Sequence, residues 1–194
     1  MSSTLAPAER QAIALRFVEI AIAAGAAILA VGATGRRLKA DESPVTAADE
    51  AAEAVILDAL ASRFPDWPVV SEEAACANGA PRDVGATYIL VDPLDGTREF
   101  LAGNGQYTVN VALVEGGRPT VGAHYAPAPG RLWFAGAGAP AARMRDGRAL
   151  GARPIRARPV PSEGAIALAS RSHLDPATGA FLEALAPAKR MQAG

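Results

Sequence analysis

Apolar positions in the first third of the chain recur at helical spacing. Ile13, Phe17, Ile20, Ala24 and Ile28 share one stripe, which predicts a long helix from Pro7 to about Val31. Pro7 suits its first turn, and Gly32 and Gly35 end it. A second helix follows Thr46, with Val55, Ile56, Ala59 and Leu60 on its core side. Thr46 and Asp49 have capping-box spacing, so Thr46 reads as an N-cap. Asp49 reads either as a favourable first-turn acid or as a functional one.

The pattern then changes to that of strands. Val69-Val70 is a short strand ending in Ser71-Glu72-Glu73, and Tyr88 to Val91 is a buried strand running into Asp92-Pro93-Leu94-Asp95-Gly96-Thr97. Pro93 is expected to stop ladder pairing there, and Thr97 to open a helical segment. Ala74 to Gly85 is small and polar and reads as a mobile loop. Gln106 to Leu113, Thr120 to Tyr125 and Leu132 to Ala135 are three more strands, joined by turns at Glu115–Pro119 and Pro127–Gly130. Consecutive strands with short turns predict an antiparallel meander carrying helices on its faces, an α/β (α+β layered) fold. Ala137 to Pro161 is rich in Gly, Pro, Ala and Arg, and a domain boundary is expected within it, near residues 155–163. Residues 1–160 then form an N-terminal domain, and residues 161–194 begin a second α/β domain with a strand at Ile166–Ala169 and a helix from Asp175-Pro176 to about Leu185. A lone strand and helix cannot bury a core, so this second unit reads as incomplete.

Composition narrows the class. Half of the 194 residues are hydrophobic but only 5% are aromatic, so small aliphatic side chains and Ala fill the core. Net charge is −1, which leaves no electrostatic footprint for a nucleic-acid polymer or an anionic membrane. A small anionic ligand held by a local metal site remains compatible with it. The single cysteine, Cys76, excludes an internal disulfide, suits a reducing cytoplasm and reads as a passive small hydrophobe. Met1 to Glu9 lacks the basic start of a signal peptide. The uncharged run Ile20–Gly35 is shorter than the roughly 20 apolar residues of a membrane span, so no transmembrane segment is expected. Arg36, Arg37 and Lys39 read as a solvated face near a helix C-terminus.

Candidate chemistry gathers at Asp92 and Asp95. At about 4 Å and an effective dielectric near 20, two carboxylates repel by roughly 4 kcal/mol, so a cation is expected between them. Mg²⁺ suits an all-oxygen site, keeps several waters and often takes phosphate oxygens as its remaining ligands. Gly96 and Thr97 offer free N–H groups at a helix start, a place for a phosphate oxygen. The competing reading is that Asp-Pro and Asp-Gly simply shape a turn. Glu72 and Glu73 would point apart if extended, so at most one enters a shared site. His124, with only one other histidine in the chain, reads as a structural residue.

Three motifs in order, Pro44-Val45-Thr46-Ala47-Ala48-Asp49, Ser71-Glu72-Glu73 and Asp92-Pro93-Leu94-Asp95-Gly96-Thr97, resemble the inositol monophosphatase superfamily of magnesium-dependent, lithium-sensitive phosphatases. Arg98-Glu99-Phe100, the run Asn104 to Asn110, and Ser170-Arg171-Ser172-His173 resemble its 3′(2′),5′-bisphosphate nucleotidase branch; inositol monophosphatases usually carry Asn at the position of Glu99. The resemblance implies a layered sandwich of helices and sheets and two or more Mg²⁺ ions. It implies that Glu72, Asp92 and the Leu94 carbonyl bind the first ion, and Asp92 and Asp95 the second. Asp95, Gly96, Thr97 and Arg98 would contact substrate, and Asp49 or Glu72, acting with the Thr97 hydroxyl, would orient and deprotonate the attacking water.

The implied substrate is adenosine 3′,5′-bisphosphate and its sulfated relative, within sulfur metabolism; an inositol or other sugar-alcohol phosphate is the alternative. A homodimer and a cytoplasmic location, with peripheral attachment to the inner membrane left open, fit the same resemblance. The chain departs from the family in lacking its Trp-Asp-x-Ala-Ala-Gly motif, whose aspartate completes the second metal site. It thus resembles a C-terminally truncated member, and a fragment that binds metal but has lost most activity is the reading from a different class. Ser71 is a smaller departure, since Gly often precedes the Glu pair.

Overall fold

The computed structural model describes residues 5–32, 37–38, 44–79, 81–137, 140–145, 148–171 and 174–193. Gly35, Arg36, Lys39, Ser172 and His173, singled out above, lie outside the described residues. The chain divides into two compact units, Met1–Ile155 and Arg156–Gly194.

The first unit begins with α1 (Pro7–Val31), whose Ile13, Phe17, Ile20, Ala24 and Ile28 are all buried, as the stripe predicts. The Glu9 carboxylate accepts from the Ala6 N–H at 2.6 Å, satisfying one amide at the helix start. A two-stranded ribbon, β1 (Arg37–Leu38) and β2 (Pro44–Val45), leads to α2 (Ala47–Arg63). Both helices lie against a seven-stranded sheet of β3 (Val69–Ser71), β4 (Thr87–Asp95), β5 (Thr108–Glu115), β6 (Arg118–Ala126), β7 (Arg131–Ala135), β8 (Pro140–Arg145) and β9 (Arg148–Pro154), in that spatial order.

Alternation along the strands sends Ile89, Val91, Val109, Val111, Leu113, Val121, Ala123, Leu132 and Phe134 into one core with α1 and α2. Each fully buried aliphatic or aromatic side chain there contributes about 1.5–3 kcal/mol. The β5–β6 hairpin closes on Gly116 and Gly117, both at positive φ (56° and 75°), the backbone a two-residue turn of this twist demands.

By length and composition α1 could cross a membrane, because the apolar helix is longer than the 20–35 run suggested. Its buried stripe, packed on α2, β5, β6 and β7, makes it a core helix.

Four expectations are corrected. The segment after Glu73 is not a loop throughout: α3 spans Glu72–Asn78, with Cys76 exposed on it. The connection α3 supplies lets β3 pair parallel to β4, so the sheet is mixed; β4 to β9 are antiparallel neighbours. Pro93 interrupts the ladder only locally, since pairing skips Pro93 and Leu94 and resumes at Asp95 opposite Thr108. Ahead of the boundary expected near 155–163, the Gly-, Pro-, Ala- and Arg-rich stretch holds two unexpected strands, β8 and β9, whose sequence lacks the apolar alternation of a half-buried strand.

The second unit is β10 (Ile166–Ser170), α5 (Pro176–Leu185) and β11 (Lys189–Ala193), with β10 and β11 parallel. Asp175 caps α5 by accepting from the Thr178 amide at 2.9 Å. The pattern of Lys189-Arg190-Met191-Gln192-Ala193 did not disclose β11; only pairing with β10 defines it. Leu182 is buried in this unit, whereas Leu168 and Met191, paired across the two strands, stay exposed.

Candidate active site

Register brings the first two acids together. Parallel pairing aligns Val69 with Ile89, Val70 with Leu90 and Ser71 with Val91, so the residues that follow, Glu72 and Asp92, leave adjacent strands at the same level. Glu72 opens α3 at the surface, while Asp92 is half-buried. The Asp92 carboxyl is pushed from 3.8 up to about 8, first by burial, then by the charges of Glu72 and Asp95 and a hydrogen bond with Glu72, with the Leu94 N–H opposing. Its Oδ1 is buried with no hydrogen-bond partner. An orphaned carboxylate oxygen between two further acids has no reason to be there in a purely structural turn.

Asp49 reaches the same place from α2. It is fully buried, and its Oδ2 accepts from the Thr46 N–H at 2.8 Å and the Thr46 hydroxyl at 2.6 Å. The Thr46 hydroxyl in turn accepts from the Ala48 N–H at 3.1 Å, so the expected capping box is present. Asp49 Oδ1 faces Thr97: Thr97 Oγ1 lies 3.2 Å from it and 3.2 Å from the Leu94 carbonyl oxygen. One hydroxyl proton serves one of these acceptors at a time. Asp49 is thus both a cap of α2 and a partner of Thr97.

Gly96 joins Asp95 to α4 (Thr97–Leu101) at φ +91°, and a Cβ built there would sit 2.9 Å from the Gln106 carbonyl oxygen. Gly96→Ala therefore meets both a left-handed backbone and a backbone collision, and should destabilise the unit by about 1–3 kcal/mol. Urea unfolding checks this; an unchanged midpoint would show that the corner relaxes freely. Arg98 is exposed on the first turn of α4.

Two residues to which the sequence assigns no site role border the site. Asn110 pairs with Asp92 across β4 and β5, and its Nδ2 lies 3.4 Å from Asp95 Oδ2. His124, opposite Asn110 on β6, makes a 2.5 Å Nδ1···Oδ1 hydrogen bond with it and packs on Trp133 at 5.6 Å. Burial holds the His124 pKa below its usual value, partly offset by Asp95. Asp92, Asn110, His124 and Trp133 form one transverse row on the sheet face opposite α1 and α2, bordering a hollow of about 510 Å³ floored by Ala112 and Gly122. The polar position in Val109-Asn110-Val111 marks that face; which residues stand beside it follows from strand register alone.

No three His, Cys, Asp or Glu side chains among the described residues close tightly on one point. Mg²⁺ does not require such a cage, because it keeps waters and binds through one or two carboxylates. The carboxylates of Glu72, Asp92 and Asp95, one Asp92 oxygen among them unpartnered, are the oxygen donors such an ion takes.

Residues 9–193 match the inositol monophosphatase family, and the chain belongs to it. Among curated proteins, the 3′(2′),5′-bisphosphate nucleotidase CysQ of Salmonella typhimurium is 51% identical over 100 residues, and that of Escherichia coli is 50% identical over 100 residues. Each match covers 52% of this chain and 40% of the relative's length. CysQ from Bacteroides thetaiotaomicron, a bacterial member of the family, superposes with a TM-score of 0.70 at 33% identity, covering 94% of this chain and 72% of that one. Inositol monophosphatase from Anabaena superposes with a TM-score of 0.69 at 26% identity, covering 95% and 67%.

Proposed function

We propose that this chain carries the metal- and phosphate-binding part of a magnesium-dependent phosphomonoesterase. The ester is the 3′-phosphate of adenosine 3′,5′-bisphosphate, with the sulfated analogue as a second substrate, and the compartment is the cytoplasm. The observation that carries the reading is Asp92, half-buried with an orphaned oxygen between Glu72 and Asp95. The names of the bisphosphate nucleotidase relatives support the choice of ester.

In this reading Glu72, Asp92, Asp95 and the Leu94 carbonyl hold Mg²⁺. When bound, Mg²⁺ acts as a Lewis acid and lowers the pKa of water. The chain's own residues do the rest. Asp49, held by Thr46, orients the Thr97 hydroxyl toward the space where the attacking water would stand. The N–H groups of Gly96 and Thr97 hold the scissile phosphate, and Arg98 supplies a cation to the substrate. Because Asp49 is fully buried, it acts through Thr97 and does not meet the water itself.

Phosphate release decides the matter: adenosine 3′,5′-bisphosphate and inositol 1-phosphate are assayed side by side with Mg²⁺, with and without Li⁺. The proposal expects faster, Li⁺-inhibited turnover of the nucleotide. Equal or faster turnover of inositol phosphate would move the assignment to a sugar-alcohol phosphatase. Mg²⁺ binding with no turnover of either would favour the metal-binding fragment.

A further inference from the structure

Glu72 is exposed and stands on the first residue of a seven-residue helix, a poor platform for a side chain that has to meet Asp92. What fixes it comes from another element. Glu53, one turn along α2 from Asp49, sends its Oε1 to two donors that flank Glu72: the Ser71 hydroxyl at 2.5 Å and the Ala74 N–H at 3.1 Å. Ala74 is the third residue of α3, whose amide an N-cap side chain ordinarily satisfies. Ser71, the residue at the N-cap, makes no such bond and donates its hydroxyl to Glu53 instead. One carboxylate on α2 thus replaces the cap of α3 and ties down the end of β3, which is buried at Ser71.

We infer that Glu53 is a positioning residue for the cation site: by clamping Ser71 and Ala74 it sets the direction of Glu72 toward Asp92. The same contact gives the Ser71 hydroxyl a task that a residue without a side-chain donor could not perform. Glu53 needs only to accept, since both bonds arrive as donors, so its role rests on an oxygen acceptor and not on its charge. Partners of this kind change metal affinity by about 10–100-fold when removed. The inference rests on the proposed reading that Glu72 and Asp92 hold a divalent ion.

The test uses Mn²⁺ as the probe, bound to the whole chain and followed by its electron paramagnetic resonance signal, with thermal unfolding recorded alongside. Glu53→Ala should weaken Mn²⁺ binding about 10–100-fold, while Glu53→Gln, which keeps the acceptor, should stay close to the unaltered chain. Ser71→Ala should give a smaller loss, and it carries the test if Glu53→Ala does not fold. Unchanged affinity in Glu53→Ala or Ser71→Ala, with only a lowered unfolding midpoint, would reduce Glu53 to a structural cap. An equal loss in Glu53→Gln and Glu53→Ala would make its charge the active feature and overturn positioning. Failure of the unaltered chain to bind Mn²⁺ would sink the cation reading itself, and the inference with it.

Discussion

Asp92→Asn is expected to make the metal-free chain more stable at pH 8 while removing its response to Mg²⁺. The sign follows from linkage. The Asp92 carboxyl titrates at 3.8 when unperturbed and at about 8 in the folded chain, so between those values the folded state holds a proton that the unfolded state has lost. Stability therefore falls as pH rises through that window, and is unaffected below about pH 4, where both states are protonated. A tenfold change in proton affinity corresponds to about 1.4 kcal/mol, so even half of the rise seen at Asp92 makes the gain at pH 8 on the order of 2–3 kcal/mol. That is about 5 °C or more in the unfolding midpoint.

The Asp92→Asn chain should lose the pH slope and show little advantage at pH 4. Mg²⁺ should raise the midpoint of the unaltered chain, because a ligand bound only by the folded state stabilises it, and leave that of the variant where it was. Thermal scans across pH, with chelator or Mg²⁺, check all three statements. A variant no more stable than its parent at pH 8 would show that Asp92 is not held under electrostatic strain.

Phe17→Ala is the largest loss expected in the core. Phe17 is fully buried on α1 and meets the edge of Phe64 at 5.6 Å, and Phe64 stacks on Trp67 at 5.2 Å. Truncation removes the ring and leaves a cavity that α2 and the sheet cannot refill without moving, at about 3–5 kcal/mol. Domains of this size are stable by about 5–15 kcal/mol, so most of the margin goes. Urea unfolding should show a lower midpoint at an unchanged slope. Leu15→Ala, on the same helix but 47% exposed, should stay within about 0.5 kcal/mol of the parent. If the two variants lost equal stability, the burial of the α1 stripe would not be what holds this unit together.

The two predictions mark the difference between what could be read along the chain and what could not. The stripe Ile13–Phe17–Ile20–Ala24–Ile28 and the Thr46–Asp49 box are local features, repeated within a few residues and matched to one helical period, so they were legible. The strands of the meander carried their own alternation and a Gly-Gly turn. β8, β9 and β11 did not, because their sequences carry no apolar alternation and their place comes from pairing with neighbours. α3 was hidden because its seven residues are too few to show a helical period, although Ser71 and the two acids after it are helix-start residues.

For the site, the linear order of residues supplied the kinds of acid and the strand and helix ends at which they stand: Asp49, Glu72, Asp92 and Asp95, with Gly96 as the tight corner. It could not say which of them meet. The parallel alignment of β3 with β4 sets Glu72 level with Asp92, and antiparallel pairing carries the row across to Asn110, His124 and Trp133. Strand register is a long-range choice, made by the shared core beneath the sheet, and no short window of sequence contains it.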